Sequence, residues 1–259
     1  DVDKVYMNAV QLMTGKGGWP LNCITLPDGR PVFGGTYFTK NQWSKILKDV
    51  SKLYKENPQK VEEYAQRVTE GIQTSELITL NKEEAVFKNK EVISAITLTK
   101  EQLDTINGGF KGAPKFPMPN TLDYLLRYQH HYNDPKLFKY IKTSLTKMAY
   151  GGIYDQIGGG FSRYSVDERW HIPHFEKMLY DNAQLVSIYS KAYLLDNNEL
   201  YKNVVQGTLR FVNEELSANN GAFYSSLDAD SKNENDELEE GVFYSWTKQE
   251  LKTLIKDYE

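Results

Sequence analysis

The sequence is nearly free of cysteine: Cys23 is the only one among 259 residues. A single thiol excludes a disulfide within the chain and a cysteine-based metal cluster. The sequence also lacks an apolar run long enough to cross a bilayer. Its net charge of −4 gives no general attraction to nucleic acids or anionic membranes. We therefore expect no nucleic-acid partner, no membrane partner and, because no signal peptide is present, a cytoplasmic protein.

What is present is typical of a soluble globular protein: 40% hydrophobic, 25% charged and 13% aromatic residues. The 18 tyrosines suit a sugar-binding groove, and they also suit an ordinary tyrosine-rich core. The chain begins with Asp1 rather than Met and ends within an apparent helix, Lys248 to Tyr258. We therefore expect a fragment of a longer protein.

Local signals in the first part of the chain predict a small α/β arrangement. The sequence Pro27-Asp28-Gly29-Arg30 predicts a hairpin turn between two strands. Thr39 with Gln42 predicts a capping box at the start of a helix. The elements predicted in order are a helix over 3–14, a buried strand over 21–26, a returning strand over 31–38, and helices over about 40–55 and from Pro58 toward Ile78.

Beyond a mixed, charged connector over 79–97, the pattern changes to pairs of helices. Asp134-Pro135 predicts the start of an amphipathic helix. A helix that is apolar on almost every side is predicted from His174 to about Leu195, and an amphipathic helix over 199–216 follows. A buried helix followed by a helix that is apolar on one face is the pattern of a two-layer α/α toroid. An ordinary helical bundle explains the pattern nearly as well.

Residues 151–182 combine glycines, aromatic rings, two histidines and several acidic side chains in one turn-rich span. Glycine allows a close backbone approach, and titratable groups beside aromatic rings are typical of a binding or catalytic pocket. Gly158-Gly159-Gly160 does not predict a phosphate-binding loop, because Phe161 follows instead of Lys-Ser/Thr. The segment therefore predicts a site without naming its reaction.

Four motifs resemble the spermatogenesis-associated protein 20/YyaL family: GGWPLNCITLPDGRPVFGGTYF, GGFKGAPKFPMPNTLDYLL, GGIYDQIGGGFSRYSVDERWHIPHFEKMLYDNAQL, and GAFYSSLDADS followed by EEGVFYSW. The resemblance implies an α+β multidomain chain. A partial thioredoxin-like α/β domain over 1–78 and a connector over 79–97 precede a partial, mostly α-helical (α/α)6 toroid over 98–259. Such toroids are similar to six-hairpin glycosidases and N-acylglucosamine 2-epimerases. The family's Cys-x-x-Cys motif precedes the region where this chain begins.

In thioredoxin-like folds a cis-proline occupies the position of Pro20, so we expect a cis Trp19–Pro20 bond. Pro20 then shapes a redox or peptide-binding surface, or it is a structural turn. Cys23 is predicted to be a small buried residue with a raised thiol pKa.

On the predicted helix from His174, Lys177 and Asp181 share its face because they lie three and seven residues further on. Burying ionisable groups is costly unless they pair or face a cavity. Two interpretations stand. In one, His174 and Asp181 are catalytic while Glu176 and Lys177 bind substrate; in the other, a buried polar network fixes the helix.

Neighbouring loops offer further candidates for substrate binding. Arg163 and Tyr164 follow the three glycines, Trp170 lies beyond them, and Lys115 lies in a rigid proline-rich loop. The structural alternatives are an Arg163 paired to a local acid, such as Asp155 or Asp167, and a surface lysine at position 115.

Asp228 and Asp230 follow a short strand-like stretch and are the last two catalytic candidates. An EF-hand register from Asp228 fails, because Lys232 and Asn233 occupy a ligand position and the glycine position. With a second carboxylate, which the sequence does not identify, they form an acid/base pair of the glycosidase kind. No cofactor and no metal are predicted.

Three hypotheses of function follow. In the first, the helical domain binds or processes a small carbohydrate, with His174 moving a proton in an epimerase-like reaction or Asp228 or Asp230 protonating a leaving oxygen. In the second, the protein is redox-linked or peptide-binding and the helical domain is a scaffold. In the third, the protein binds a partner without catalysis. Convergence of His174, Asp181, Arg163 and Asp228 on one cavity is the structural test.

Overall fold

The computed structural model describes residues 2–76, 86 and 88–255. The chain forms two compact units, Asp1–Val86 and Phe87–Glu259. The second unit thus begins inside the predicted connector 79–97, and its first helix starts at Asn89. The predicted domain limits at 78 and 98 stay predictions. Within the part of the chain described, no helix has the length and apolarity needed to cross a membrane.

The first unit packs a two-stranded antiparallel sheet against helices. Its elements are helix α1 (Val2–Thr14), strands β1 (Asn22–Thr25) and β2 (Pro31–Gly35), and helices α2 (Lys40–Glu56) and α3 (Pro58–Glu76). Helices α1 and α3 pack on each other and on β2. The predicted order of elements is confirmed, but β2 ends at Gly35 and β1 is half-buried rather than buried.

The capping box and the cis-proline predicted for this unit are both present. The Thr39 hydroxyl accepts from the Gln42 N–H and the Gln42 side chain accepts from the Thr39 N–H, which completes the capping box of α2. The Trp19–Pro20 bond is cis, as expected. Cys23 is half-buried, less than predicted, and burial raises the pKa of its thiol.

The second unit is mostly helical, with pairs of very short strands in its loops. Its elements are helices α4 (Asn89–Glu101), α5 (Pro119–Tyr132) and α6 (Pro135–Tyr150), strands β3 (Tyr164–Ser165), β4 (Pro173–His174) and β5 (Lys177–Met178), helices α7 (Leu179–Asp196) and α8 (Glu199–Glu215), strands β6 (Ser226–Leu227), β7 (Asp230–Lys232) and β8 (Leu238–Glu240), a 3₁₀ turn (Val242–Tyr244) and helix α9 (Lys248–Leu254).

Consecutive helices of this unit pack in pairs. Helix α5 packs on α6 and on α7, and α8 packs on α7 and on α6, so four helices share one core. Asp134 caps α6 as predicted, because its carboxylate accepts from the Leu137 N–H. The predicted class, an α+β chain with a mostly helical second part, is confirmed. Large buried members of the shared core are Leu125, Ile141, Leu145, Met148, Phe161, Trp170, Leu185, Ile188, Tyr189 and Tyr201.

The prediction of a helix from His174 is wrong: α7 begins at Leu179. The preceding residues are extended because His174 pairs with Tyr164 in the β3–β4 ladder, and Lys177 pairs with Leu227 in the β5–β6 ladder. Nor is α7 buried on all sides, since Leu194 is 77% exposed. The single helical face proposed for His174, Lys177 and Asp181 therefore does not exist.

Candidate functional site

A line of charged side chains follows strand β4 and the residues after it. The Arg163 guanidinium lies 2.8 Å from the Glu176 carboxylate. The nearest nitrogen of His174 to that carboxylate, Nε2, is 3.9 Å away. On the other side, His174 Nδ1 lies 2.6 Å from Glu240 Oε1. Together with Asp181, these residues are called the His174 cluster.

The β3–β4 ladder places an aromatic ring beside the imidazole. Because Tyr164 is directly opposite His174, their rings stack at 4.8 Å with an interplanar angle of 22°. Phe116 packs on Tyr164 with ring centroids 4.9 Å apart. The cluster therefore combines charged groups with a partly exposed aromatic surface.

The contact with Glu240 assigns the protons of His174. An ionised carboxylate only accepts hydrogen bonds, so Nδ1 carries the proton and donates to Glu240. The other ring nitrogen, Nε2, lies 3.9 Å from Glu176, too far for a hydrogen bond.

Asp181 lies in the first turn of α7, where its carboxyl group is partly buried. Its Oδ2 has no hydrogen-bond partner among the described residues. Burial raises the pKa of Asp181 to about 6; Arg163 opposes this rise and Glu176 adds to it. Near neutral pH a fraction of this carboxyl group therefore stays protonated.

A separate cleft of about 390 Å³ lies around Lys177. Lys177 is 2% exposed, and its Nζ donates to Asp155 Oδ2 at 2.8 Å and to the Gly159 carbonyl at 2.9 Å. The ammonium also lies 4.6 Å from the Phe211 ring centroid and 4.8 Å from that of Tyr244. Burial lowers the pKa of Lys177, while Asp155 opposes the change. Besides these residues, the Lys177 cleft is lined mainly by Glu214, Glu215, Asp228, Asp230 and Phe243.

The predicted site residues therefore fall into separate places. The His174 cluster contains His174, Asp181, Arg163 and Glu176, with Tyr164 stacked on it, whereas Lys177, Asp228 and Asp230 line the Lys177 cleft. Asp228 lines the Lys177 cleft, and the lining of that cleft does not include His174, Asp181 or Arg163. Whether these residues bind or catalyse stays a prediction.

Lys115 and Trp170 belong neither to the His174 cluster nor to the lining of the Lys177 cleft. Lys115 is 1% exposed and its Nζ donates to Asp104 at 2.7 Å, so it is not a surface lysine. Trp170 is fully buried, and its indole N–H donates to the Asn107 carbonyl at 2.9 Å. Neither side chain reaches an open surface, so the expectation that they line the mouth of a site does not hold in this structure.

Both buried lysines are paired with the same kind of loop, which occurs twice in the sequence. We did not predict this internal repeat. Residues 104–110 read DTINGGF and residues 155–161 read DQIGGGF. In each loop the aspartate accepts from two following backbone N–H groups and from a lysine, which also donates to a glycine carbonyl. The pairs Lys115–Asp104 and Lys177–Asp155 are thus equivalent, and the repeated motif was the signal for them.

Glu240 is the other functional candidate that the sequence did not reveal. It lies 66 residues after His174, at the end of a charged stretch that resembles a solvated loop. Glu240 is the last residue of strand β8 and pairs with Asp230 of β7. Among the described residues, no group of three or more His, Cys, Asp or Glu side chains is arranged to hold a metal ion.

These features define a class: a thioredoxin-like unit followed by a unit of helical pairs. Residues 1–73 match the family Thioredox_DsbH, described as "Protein of unknown function, DUF255". Over 99% of its length the chain is 38% identical to spermatogenesis-associated protein 20 of Homo sapiens and of Mus musculus. An uncharacterized protein of Caenorhabditis elegans is 36% identical, also over 99% of the chain. The predicted resemblance to the spermatogenesis-associated protein 20 family is confirmed.

The chain spans about a third of these relatives, 34% of the two mammalian proteins and 36% of the nematode one. Solved structures are more distant. A sugar epimerase from a ruminal bacterium gives a TM-score of 0.47 at 16% identity, over 51% of this chain and 37% of that one. An unsaturated glucuronyl hydrolase specific for heparin gives 0.45 at 12% identity, over 87% and 71%. Likenesses this distant support no conclusion about the chemistry of this chain.

Proposed function

We propose that the second unit binds a small carbohydrate at the His174 cluster and exchanges a proton with it. The observation that carries the proposal is the buried carboxyl oxygen of Asp181, unpartnered among the described residues, and the raised pKa of that carboxyl. A carboxyl group with a buried, unpartnered oxygen and a pKa raised to about 6 costs folding energy. Groups held at such a cost, beside another titratable side chain, are typical of functional sites.

The surroundings of Asp181 favour a sugar over a purely apolar or a purely charged ligand. Phe116 and Tyr180 are exposed, and Tyr164 stacks on the imidazole. Aromatic faces of this kind pack on the C–H faces of a sugar ring. The half-exposed Arg163 and Glu176 provide hydrogen-bond donors and acceptors for its hydroxyl groups.

The two titratable groups have complementary roles in the proposed exchange. His174 takes a proton from the ligand at Nε2, because Nδ1–H is already donated to Glu240. Glu240 then stabilises the imidazolium that results. Asp181 supplies a proton to a ligand oxygen, since burial keeps its protonated form populated near neutral pH. Arg163 stays paired with Glu176 and orients it.

The test is binding of a panel of mono- and disaccharides to the chain, screened by thermal shift and quantified by calorimetry. We expect at least one sugar to raise the melting temperature, and His174→Gln to weaken its binding about tenfold or more. The matched control is His171→Gln, because His171 is exposed and lies only three residues away. Absence of binding by every sugar, or equal binding by His174→Gln, would contradict the proposal.

A further inference from the structure

The loop that joins strands β3 and β4 is closed by the carboxylate of Asp167. Its two oxygens accept hydrogen bonds from three backbone N–H groups and one hydroxyl group of the same loop. The donors are the N–H groups of Arg169 (2.6 Å), His171 (3.1 Å) and Ile172 (2.6 Å) and the hydroxyl of Ser165 (3.2 Å). The loop leads directly into strand β4, which carries His174.

Asp167 takes the place of a backbone carbonyl at the end of the β3–β4 ladder. The ladder contains two residue pairs, one of which is Tyr164 with His174. Beyond them, the Val166 N–H donates to the Ile172 carbonyl at 2.9 Å. An antiparallel pair of this kind normally exchanges two bonds, but here the Ile172 N–H donates to Asp167 Oδ2 at 2.6 Å. The carboxylate therefore supplies the last bond that holds β4 beside β3.

Strand β3 itself is fixed from its other side. Ser165 and Lys115 exchange backbone hydrogen bonds of 2.7 and 2.9 Å. The buried Lys115 side chain is in turn held by Asp104, in the first copy of the repeated glycine loop. Strand β3 is thus attached to a buried ion pair. A ladder of two pairs is marginal by itself, so the position of β4 depends on the loop that Asp167 closes.

The loop needs such a closure because its middle residue has an unfavourable backbone conformation. Trp170 has a φ of +66°, in the left-handed region that residues with a side chain rarely adopt. The N–H groups of its two neighbours, Arg169 and His171, both donate to Asp167. The Trp170 ring is fully buried, and its indole N–H donates to the Asn107 carbonyl at 2.9 Å. The carboxylate and the buried ring together hold the loop in this conformation.

We infer that Asp167 is a positioning residue for His174: it closes the loop in the arrangement that places the imidazole on Tyr164 and beside Glu240. The inference rests on the proposed function, because it concerns the same site. The imidazole stacks on Tyr164 at 4.8 Å and its Nδ1 lies 2.6 Å from Glu240. A displacement of about 1 Å is enough to disturb such contacts. Asp167 acts on them only through the backbone.

The test is nitrogen-15 NMR of the His174 imidazole, with its resonances assigned by their loss in His174→Gln. At about pH 8, where an ordinary imidazole is neutral, the unmodified chain should show the Nδ1–H tautomer, because Glu240 accepts that proton. Asp167→Ala should lose this signature, since the imidazole moves away from Glu240. Ser165→Ala removes one of the donors to Asp167 and should give a smaller change in the same direction. It decides the question if Asp167→Ala does not fold.

The matched control is Asp134→Ala, because Asp134 also accepts from a backbone N–H, that of Leu137 at the start of α6. It should lower the melting temperature and leave the His174 tautomer unchanged. Any sugar that binds the unmodified chain should bind Asp167→Ala about tenfold or more weakly. If no sugar binds, the proposed function fails, but the tautomer still decides this inference. An unchanged His174 in the loop variants, or an equal change in Asp134→Ala, would overturn it.

Discussion

Asp181 is the residue whose chemistry depends most on its surroundings. Its carboxyl is only partly buried, yet burial outweighs the nearby positive charge of Arg163 and raises the pKa to about 6. Glu176 acts in the same direction as burial, because two negative charges repel. The sequence identified Asp181 as a candidate through a helical face that does not exist, so its position was inferred for the wrong reason.

The raised pKa makes a prediction about stability. A carboxyl with a raised pKa in the fold adds stability that is fully present below its unfolded pKa of about 3.9 and is lost as the pH rises through about 6. Asp181→Asn should therefore raise the free energy of unfolding near pH 8, by on the order of 1 kcal/mol after discounting for partial exposure, and change it little near pH 4. Urea denaturation at both pH values measures this. A variant that is less stable near pH 8 would show that the ionised carboxylate is well stabilised.

At the level of elements, the glycine loop over residues 155–161 packs closely against helix α8. Gly159 has a φ of +80°, and an added Cβ would collide with the carbonyl oxygen of Gly207 on α8. The same loop supplies Asp155, the partner of Lys177. Close packing of this loop on α8 thus fixes one wall of the Lys177 cleft, and a side chain has no room there.

Two glycine variants separate the collision from the backbone strain. Gly221 has a similar φ of +84°, but a Cβ there meets no atom within 4 Å. Gly221→Ala should therefore cost about 1 kcal/mol, from the left-handed conformation alone. Gly159→Ala should cost about 2 kcal/mol more, because Gly207 or the loop must move. Chemical denaturation of both variants gives the difference. Equal losses would mean that the loop does not pack tightly on α8.

Across the whole molecule, the features that were predictable are those with local causes. The capping box at Thr39, the proline starts at Pro58 and Pro135 and the turn before Pro31 each depend on neighbouring residues, and each is confirmed. The site depends on contacts between distant residues. Glu240 meets His174 across 66 positions, and Leu227 holds Lys177 in a strand where the local pattern indicated a helix.

The family resemblance covers both units, whereas the proposed chemistry belongs to the second one. The chain is similar to spermatogenesis-associated protein 20 over 99% of its length and spans 34% of that protein in human. The first unit carries the DUF255 match, and its redox-linked or peptide-binding role stays a prediction. The second unit brings His174, Asp181 and Glu240 from separate elements, so the proposed acid/base chemistry depends on its folding.

The most direct test of this account is the titration of Asp181 itself in the folded chain. Carbon-13 NMR of the aspartate carboxyl groups measures it, with the resonance assigned by its loss in Asp181→Asn. The account predicts a midpoint at about pH 6. A midpoint near 4, which is ordinary for a solvated aspartate, would contradict the claim that the second unit holds Asp181 as a proton donor near neutral pH.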